Sequence, residues 1–128
     1  FGPAFEALLN DLNTPDALEG GPARTRPGSP CPDAPLGDGF LLDKLGNGFT
    51  LLTFDAEAED EIDEDGVTAT RLALDTANES SGALAARYLG DATSAVYLIR
   101  PDQHVAARRP TFSENLVRAA VRRATGKE

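Results

Sequence analysis

The sequence predicts an α/β sandwich built on a mixed central sheet, and three features carry that expectation. The run Phe49-Thr50-Leu51-Leu52-Thr53-Phe54 is short and nearly continuously apolar, which suits a strand covered on both faces. Ala95-Val96-Tyr97-Leu98-Ile99-Arg100 is a second such strand. Pro101-Asp102 behind it has the chemistry of the middle of a type I turn, so His104 to Arg108 can return antiparallel. Last, Leu116, Val117, Ala120, Val121 and Ala124 share one helical face behind Thr111-Phe112-Ser113-Glu114, read as a capping box. Arg118, Arg122, Arg123 and Lys127 lie towards the negative end of that helix dipole.

The remaining elements follow in chain order. Phe5, Leu8, Leu9 and Leu12 have helical i, i+3, i+4, i+7 spacing, with Pro3 near the first turn and Thr14-Pro15 ending it, so residues 1–13 are expected as an amphipathic helix. Residues 14–31 are rich in Gly and Pro, hold neither regular period and are expected as a linker, with the compact domain spanning 32–128. In Leu36-Gly37-Asp38-Gly39-Phe40 the Asp-Gly pair supplies a positive-φ turn, which predicts a hairpin. Between Asp55 and Asp65 lie eight acids, interrupted by only one large apolar side chain, Ile62, and a solvated loop is expected there. Val67 to Leu74 is β-prone with Thr68, Thr70, Leu72 and Leu74 on one face, and Ala83 to Leu89 reads as a short helix ended by Gly90. Strand, variable segment, strand, helix, antiparallel hairpin and final helix is the order of a thioredoxin-like fold.

Composition limits the function classes. At 128 residues the chain fits one domain, and its 41% hydrophobic content is too high for disorder. No apolar run approaches the roughly 20 residues of a membrane helix. A net charge of -9 without a basic stripe argues against nucleic acid as a partner. One cysteine and one histidine exclude an internal disulfide and leave too few ligands for structural zinc, and this cysteine usage fits a cytoplasmic setting. The start Phe1-Gly2-Pro3, lacking both an initiating Met and a signal pattern, is read as a cut from something longer.

Pro27-Gly28-Ser29, Pro32, Leu36, Asp38-Gly39, Leu45 and Gly48-Phe49-Thr50-Leu51-Leu52 stand in an informative order, closed by Tyr97-Leu98-Ile99-Arg100-Pro101-Asp102-Gln103-His104-Val105-Ala106. In order and spacing they resemble the C-terminal thioredoxin-like domain of FAD-dependent aromatic hydroxylases, a family that includes phenol, hydroxyphenylpropionate and aromatic polyketide hydroxylases. The resemblance runs from about Pro27 to Arg108, and its last motif is the most specific. It implies a parent enzyme with an FAD-binding domain and a substrate domain, using NAD(P)H and O2 to hydroxylate an aromatic ring. This domain would be noncatalytic and would serve packing, stability or oligomerisation. Expected partners are the parent's FAD and substrate domains, with a homodimer as a further expectation. No Gly-x-Gly-x-x-Gly follows a strand here, so no catalytic, cofactor-binding or metal residue of the family can be carried onto this sequence.

Residue by residue, the bland readings outweigh the chemical ones. Cys31, in Ser29-Pro30-Cys31-Pro32, has no resolving partner and no basic residue closer than Arg26. Where a thioredoxin or peroxiredoxin places its thiol, just after the first core strand, stands Asp55-Ala56-Glu57-Ala58-Glu59-Asp60. That run lacks the spacing of a calcium loop. His104 reads as a strand residue without chemistry. Arg108, Arg109, Arg118, Arg122 and Arg123 are a candidate docking face for an acidic partner, the chain's own acidic segment included, although a solvated helix end is the default. The alternatives to the hydroxylase reading are a stand-alone thioredoxin/peroxiredoxin-like thiol-redox module and a small acidic interaction protein.

Overall fold

A computed structural model describes residues 13–78 and 81–126. The amphipathic helix expected on Phe5, Leu8, Leu9 and Leu12 lies outside the described residues.

Two short strands, β1 (Pro35–Leu36) and β2 (Gly39–Phe40), form the first hairpin. Its turn is Gly37-Asp38, and Gly37 rather than Gly39 takes positive φ (59°), the position that a type II′ turn reserves for glycine. A single helical turn, α1 (Leu41–Lys44), leads to β3 (Phe49–Phe54), which is buried along its whole length. It is followed by β4 (Glu61–Glu64), β5 (Val67–Leu74), β6 (Ala95–Ile99), β7 (Val105–Arg109) and the closing helix α2 (Glu114–Ala124).

The five-stranded sheet has the order β4-β5-β3-β6-β7. Only β3 and β5 run parallel, with Leu52 opposite Leu72, and the other neighbours are antiparallel. The sheet is thus mixed, and its arrangement fits the expected thioredoxin-like order. The departure lies in the connection from β3 to β5. The acidic stretch there does not remain a solvated loop throughout, because residues 61–64 form an edge strand. Ile62 faces inward and is 1% exposed, while Glu61 and Asp63 face solvent. Burying one isoleucine stabilises by about 1.5–3 kcal/mol, and charged neighbours on an edge strand discourage pairing with other chains. Asp65-Gly66, both at positive φ, close the β4–β5 hairpin as a type I′ turn.

Apolar side chains gather on both faces of the sheet. On one face Leu52, Phe54, Tyr97 and Ile99 meet Leu84, Tyr88 and Leu89 from residues 83–90. Phe54 stacks on Tyr88 at 5.0 Å between ring centroids, and Tyr97 stands edge-on to both rings. Such pairs contribute about 0.5–1.5 kcal/mol each beyond area burial. On the other face Leu51, Val96, Leu98, Ile62 and Ala69 meet Val117, Ala120 and Val121 of α2. Leu116, expected on the apolar face of α2, is instead 48% exposed. The start of α2 also differs from a capping box based on Thr111. Ser113 is the N-cap, its Oγ accepts the Leu116 amide at 3.4 Å, and Glu114 is the first helical residue.

The short helix over residues 83–89 winds into a π-type turn at Ala85–Leu89 and stops at Gly90, whose amide donates to the Ala85 carbonyl. Gly90 has φ 58° and lies so close to residue 20 that an added Cβ would stand 2.7 Å from the Gly20 carbonyl oxygen. Glycine is required there on both counts. Residues 14–31 lack strand or α-helical structure, in keeping with their Gly and Pro content, yet they pack. A 3-10 turn at Ala23–Thr25 buries Thr25 completely, and Leu18 is 4% exposed. Composition denied this segment a regular period but left its side chains free to enter the core.

Candidate functional site

Two places on the sheet could hold chemistry. The first is the cleft at the carboxyl end of β3, where a thioredoxin-type thiol would stand. It is an open cleft of about 590 Å3 lined by Asp55, Glu57, Glu59, Ser94 and Thr111 among others. Asp55 sits in left-handed backbone (φ 54°), and its carboxylate accepts from the Thr76 amide at 3.0 Å and from the Thr76 hydroxyl at 2.5 Å. Its carboxylate caps a turn. Arg71 on β5 reaches under the loop, donating to the carbonyls of Ala58 at 3.1 Å and Ala56 at 2.9 Å and to Thr53 Oγ1 at 3.2 Å. The loop backbone is therefore held by a guanidinium, with Glu57 and Glu59 exposed and the Asp60 carboxylate 3.7 Å from Arg71 Nη1. No group of three or more His, Cys, Asp or Glu among the described residues could hold a metal ion.

The second place is a buried polar chain beneath residues 14–31. Arg108 on β7 has a side chain only 1% exposed. It makes a bidentate pair with Asp16, Nε to Oδ1 and Nη2 to Oδ2, both at 2.7 Å. Its Nη1 donates to the Pro22 carbonyl at 2.7 Å and to Thr25 Oγ1 at 2.8 Å. Thr25 Oγ1 lies 2.8 Å from the Tyr97 hydroxyl, which donates to the Tyr88 carbonyl at 2.5 Å. Because the Tyr97 proton is committed to Tyr88, the Thr25 hydroxyl donates to Tyr97, and the chain runs in one direction from Arg108 to the Tyr88 backbone. The Arg108 hydrogen bond is the main cause that holds the Asp16 carboxyl below its ordinary range, with burial opposing it. Burial is the main cause that raises Tyr97. No buried polar side-chain atom among the described residues lacks a hydrogen-bond partner, and this chain of bonds ties residues 14–31 to the sheet.

A β-bulge aims Arg108. Ile99 faces Val105 while Leu98 faces Ala107, so Ala106 is the extra residue and Tyr97 comes opposite Arg108. Residues opposite one another share a face of the sheet. Without the extra residue Arg108 would stand opposite Val96, on the face under α2.

The candidates read from the sequence separate accordingly. Cys31 is buried, with its backbone amide donating to the Gln103 carbonyl at 2.9 Å. Burial pushes its thiol up to about 12, opposed by a hydrogen bond with Tyr88. A thiol held neutral is a poor nucleophile at neutral pH, which counts against the thiol-redox alternative. His104 lies at the tip of the β6–β7 hairpin, with Nδ1 3.0 Å from the Asp102 carbonyl and 3.5 Å from Asp102 Oδ1. Arg100 also pairs with Asp102. Burial works against the Asp102 carboxylate, but the hydrogen bond and charge of Arg100 outweigh it and keep this carboxyl below its usual range. The motif over Arg100 to His104 therefore locks a turn, assisted by Gln103 in left-handed backbone (φ 62°).

The five arginines do not form one docking face. Arg108 is interior, and Arg109 Nε donates to the Thr111 carbonyl at 2.8 Å. Arg118 and Arg122 both grip Glu64 on β4, at 3.1 and 2.9 Å, so the acidic segment of the same chain is their partner. Arg123 lies 3.5 Å from the Asn13 carbonyl. No motif marks Asp16, Thr25 or Arg71 in the sequence, and Tyr97 stands out there only as part of a strand and of the hairpin motif. The available signal was an arginine placed inside a predicted strand, at positions 71 and 108.

The longest described helix, α2, opens on Ser113-Glu114 without glycine, and the Glu114 carboxylate would repel a phosphate from its N-terminus.

No protein-family model matches the sequence, and no curated protein matches it. Solved structures do. The native and K252c-bound RebC-10x structure matches at TM-score 0.62 and 24% identity, over 92% of this chain and 22% of that one. The flavin-dependent monooxygenase PieE, solved with FAD and substrate, matches at TM-score 0.61 and 26% identity, over 84% of this chain and 21% of its own. RebC-10x soaked with chromopyrrolic acid, with bound 7-carboxy-K252c, matches at TM-score 0.57 and 25% identity, over 81% of this chain. The chain spans only 20–22% of these solved chains, and it shares its fold with part of each of them, the flavin-dependent monooxygenase PieE included.

Proposed function

We propose that this chain is the C-terminal, noncatalytic domain of a cytoplasmic FAD-dependent aromatic hydroxylase. The parent would bind FAD, take electrons from NAD(P)H and insert one oxygen atom from O2 into an aromatic ring. This domain would pack against the parent's FAD and substrate domains, stabilise them and provide oligomer contacts. The observation that carries the reading is the cleft after β3. In a fold matching part of a flavin-dependent monooxygenase, the thioredoxin-type reactive position holds Asp55, Glu57 and Glu59, while the chain's cysteine is buried elsewhere. The side chains at that position cap turns or face water.

The test compares the 128-residue chain with the polypeptide encoded by its complete reading frame. The complete protein is expected to show flavin absorption and NAD(P)H oxidation stimulated by an aromatic substrate. The 128-residue chain is expected to bind no FAD and to reduce neither peroxide nor disulfide. A reading frame without a flavin domain, or thiol-dependent turnover by the short chain, overturns the proposal.

A further inference from the structure

We propose that residues 13–31 are a latched strap that opens as a unit ahead of the sheet it covers, with the Arg108–Asp16 pair as its latch, uncovering the outer edge of β7 and the Cys31 thiol. The strap lies along that edge. The amides of Thr14 and Gly28 donate to the carbonyls of Ala106 (2.9 Å) and Val105 (2.6 Å), the Val105 amide donates to the Ser29 carbonyl (2.9 Å), and the Cys31 amide donates to Gln103 (2.9 Å). Pro30 bridges His104 in the same antiparallel sense. These bonds occupy an edge that would otherwise present unpaired backbone groups.

Away from that edge the strap is held at few points, one of them the Asp91 amide, which donates to the Gly20 carbonyl at 2.9 Å beside Gly90. It gives Leu18 and Cys31 to the apolar cluster on the Tyr88 face and no buried residue to the cluster under α2. β3 and β6 pair with their neighbours without it. The side chains that hold it are Leu18, Cys31, Thr25, Asp16 and Asn13, whose Oδ1 accepts from Arg100 Nη1 at 3.3 Å, and Thr25 and Asp16 converge on Arg108. Segments with few buried apolar groups and one concentrated polar anchor open at lower free energy than the core they cover.

Cys31 is the chain's single cysteine, so N-ethylmaleimide labelling reports strap opening without ambiguity. The experiment measures the labelling rate of the folded 128-residue chain against urea, alongside global unfolding followed by circular dichroism. The expected urea slope of labelling is less than half that of global unfolding. Asp16→Asn is expected to raise the rate in the absence of urea at least tenfold with the small slope retained, while Glu64→Gln, at the opposite edge of the sheet, leaves it unchanged. Labelling with the slope and midpoint of global unfolding overturns the proposal, as does equal acceleration by Glu64→Gln. An unchanged rate in Asp16→Asn overturns the latch.

Discussion

Arg108 and Asp16, 92 residues apart in the chain, meet in a bidentate ion pair with both N–O distances at 2.7 Å. The guanidinium is buried and the carboxylate is 36% exposed, so the two partners are not equivalent. Removing Asp16 strands a charge in the interior, whereas removing Arg108 leaves a carboxylate that water can reach but takes the Arg108 donors from the Pro22 carbonyl and the Thr25 hydroxyl. Asp16→Ala and Arg108→Ala are therefore both expected to destabilise. The double variant should fall short of the sum by about 0.5–3 kcal/mol in a urea-unfolding cycle, and strict additivity would refute the pairing.

Acid should weaken the attachment of α2 to β4. Glu64 is held below the ordinary glutamate value of 4.5, chiefly by its hydrogen bond with Arg122 and then by Arg118. A carboxyl lowered on folding contributes stability that is fully present above 4.5 and is lost as pH falls through the lower folded value. Glu64→Gln should flatten that part of the pH dependence. Urea midpoints recorded from neutrality downward would show it, and a profile matching the unsubstituted chain would exclude it.

Alkali should act through Cys31, with the opposite sign. Its thiol is raised from 9.0 to about 12, mainly by burial, so its contribution is fully present below 9.0 and is lost as pH rises towards about 12. Thiolate absorbance of the folded chain should appear well above pH 9.0, and Cys31→Ser should remove that component of alkaline destabilisation. A thiolate titrating at or below its ordinary value would contradict the buried environment.

Two glycines test close approach against backbone conformation. Gly66 (φ 84°) and Gly90 (φ 58°, ψ -117°) both lie at positive φ, Gly90 in a region that L side chains enter less readily than the left-handed helical one, and a Cβ on Gly66 meets nothing within 4 Å, whereas one on Gly90 meets the Gly20 carbonyl at 2.7 Å. Gly66→Ala should cost about 1–2 kcal/mol, the conformational term alone. Gly90→Ala should cost clearly more, because the obstructing atom is backbone. Equal thermal shifts in the two variants would mean that residues 14–31 do not press on Gly90.

Much of the architecture could be read locally. The apolar runs at 49–54 and 95–99 are the two innermost antiparallel partners of the sheet, and 67–74 is the strand expected there. The edge strand at 61–64 was concealed by its acids, although Asp65-Gly66 behind Ile62 is a strong hairpin signal in its own right. The acids obscured it because an edge strand needs only one face apolar, and here that face amounts to a single isoleucine.

The sequence by itself determined the period of each element, because alternation, helical spacing and turn residues act between neighbours in the chain. It also determined that the cleft after β3 carries acids where a thiol would be needed. Only the tertiary structure decided where residues 14–31 lie and what Arg108 does. Those depend on a bulge at Ala106 that turns Arg108 to the Tyr97 face, and on a carboxylate 92 residues away that arrives there only after the chain has folded. A one-residue shift in strand register leaves no local trace in composition, yet it reverses the face of every side chain beyond it.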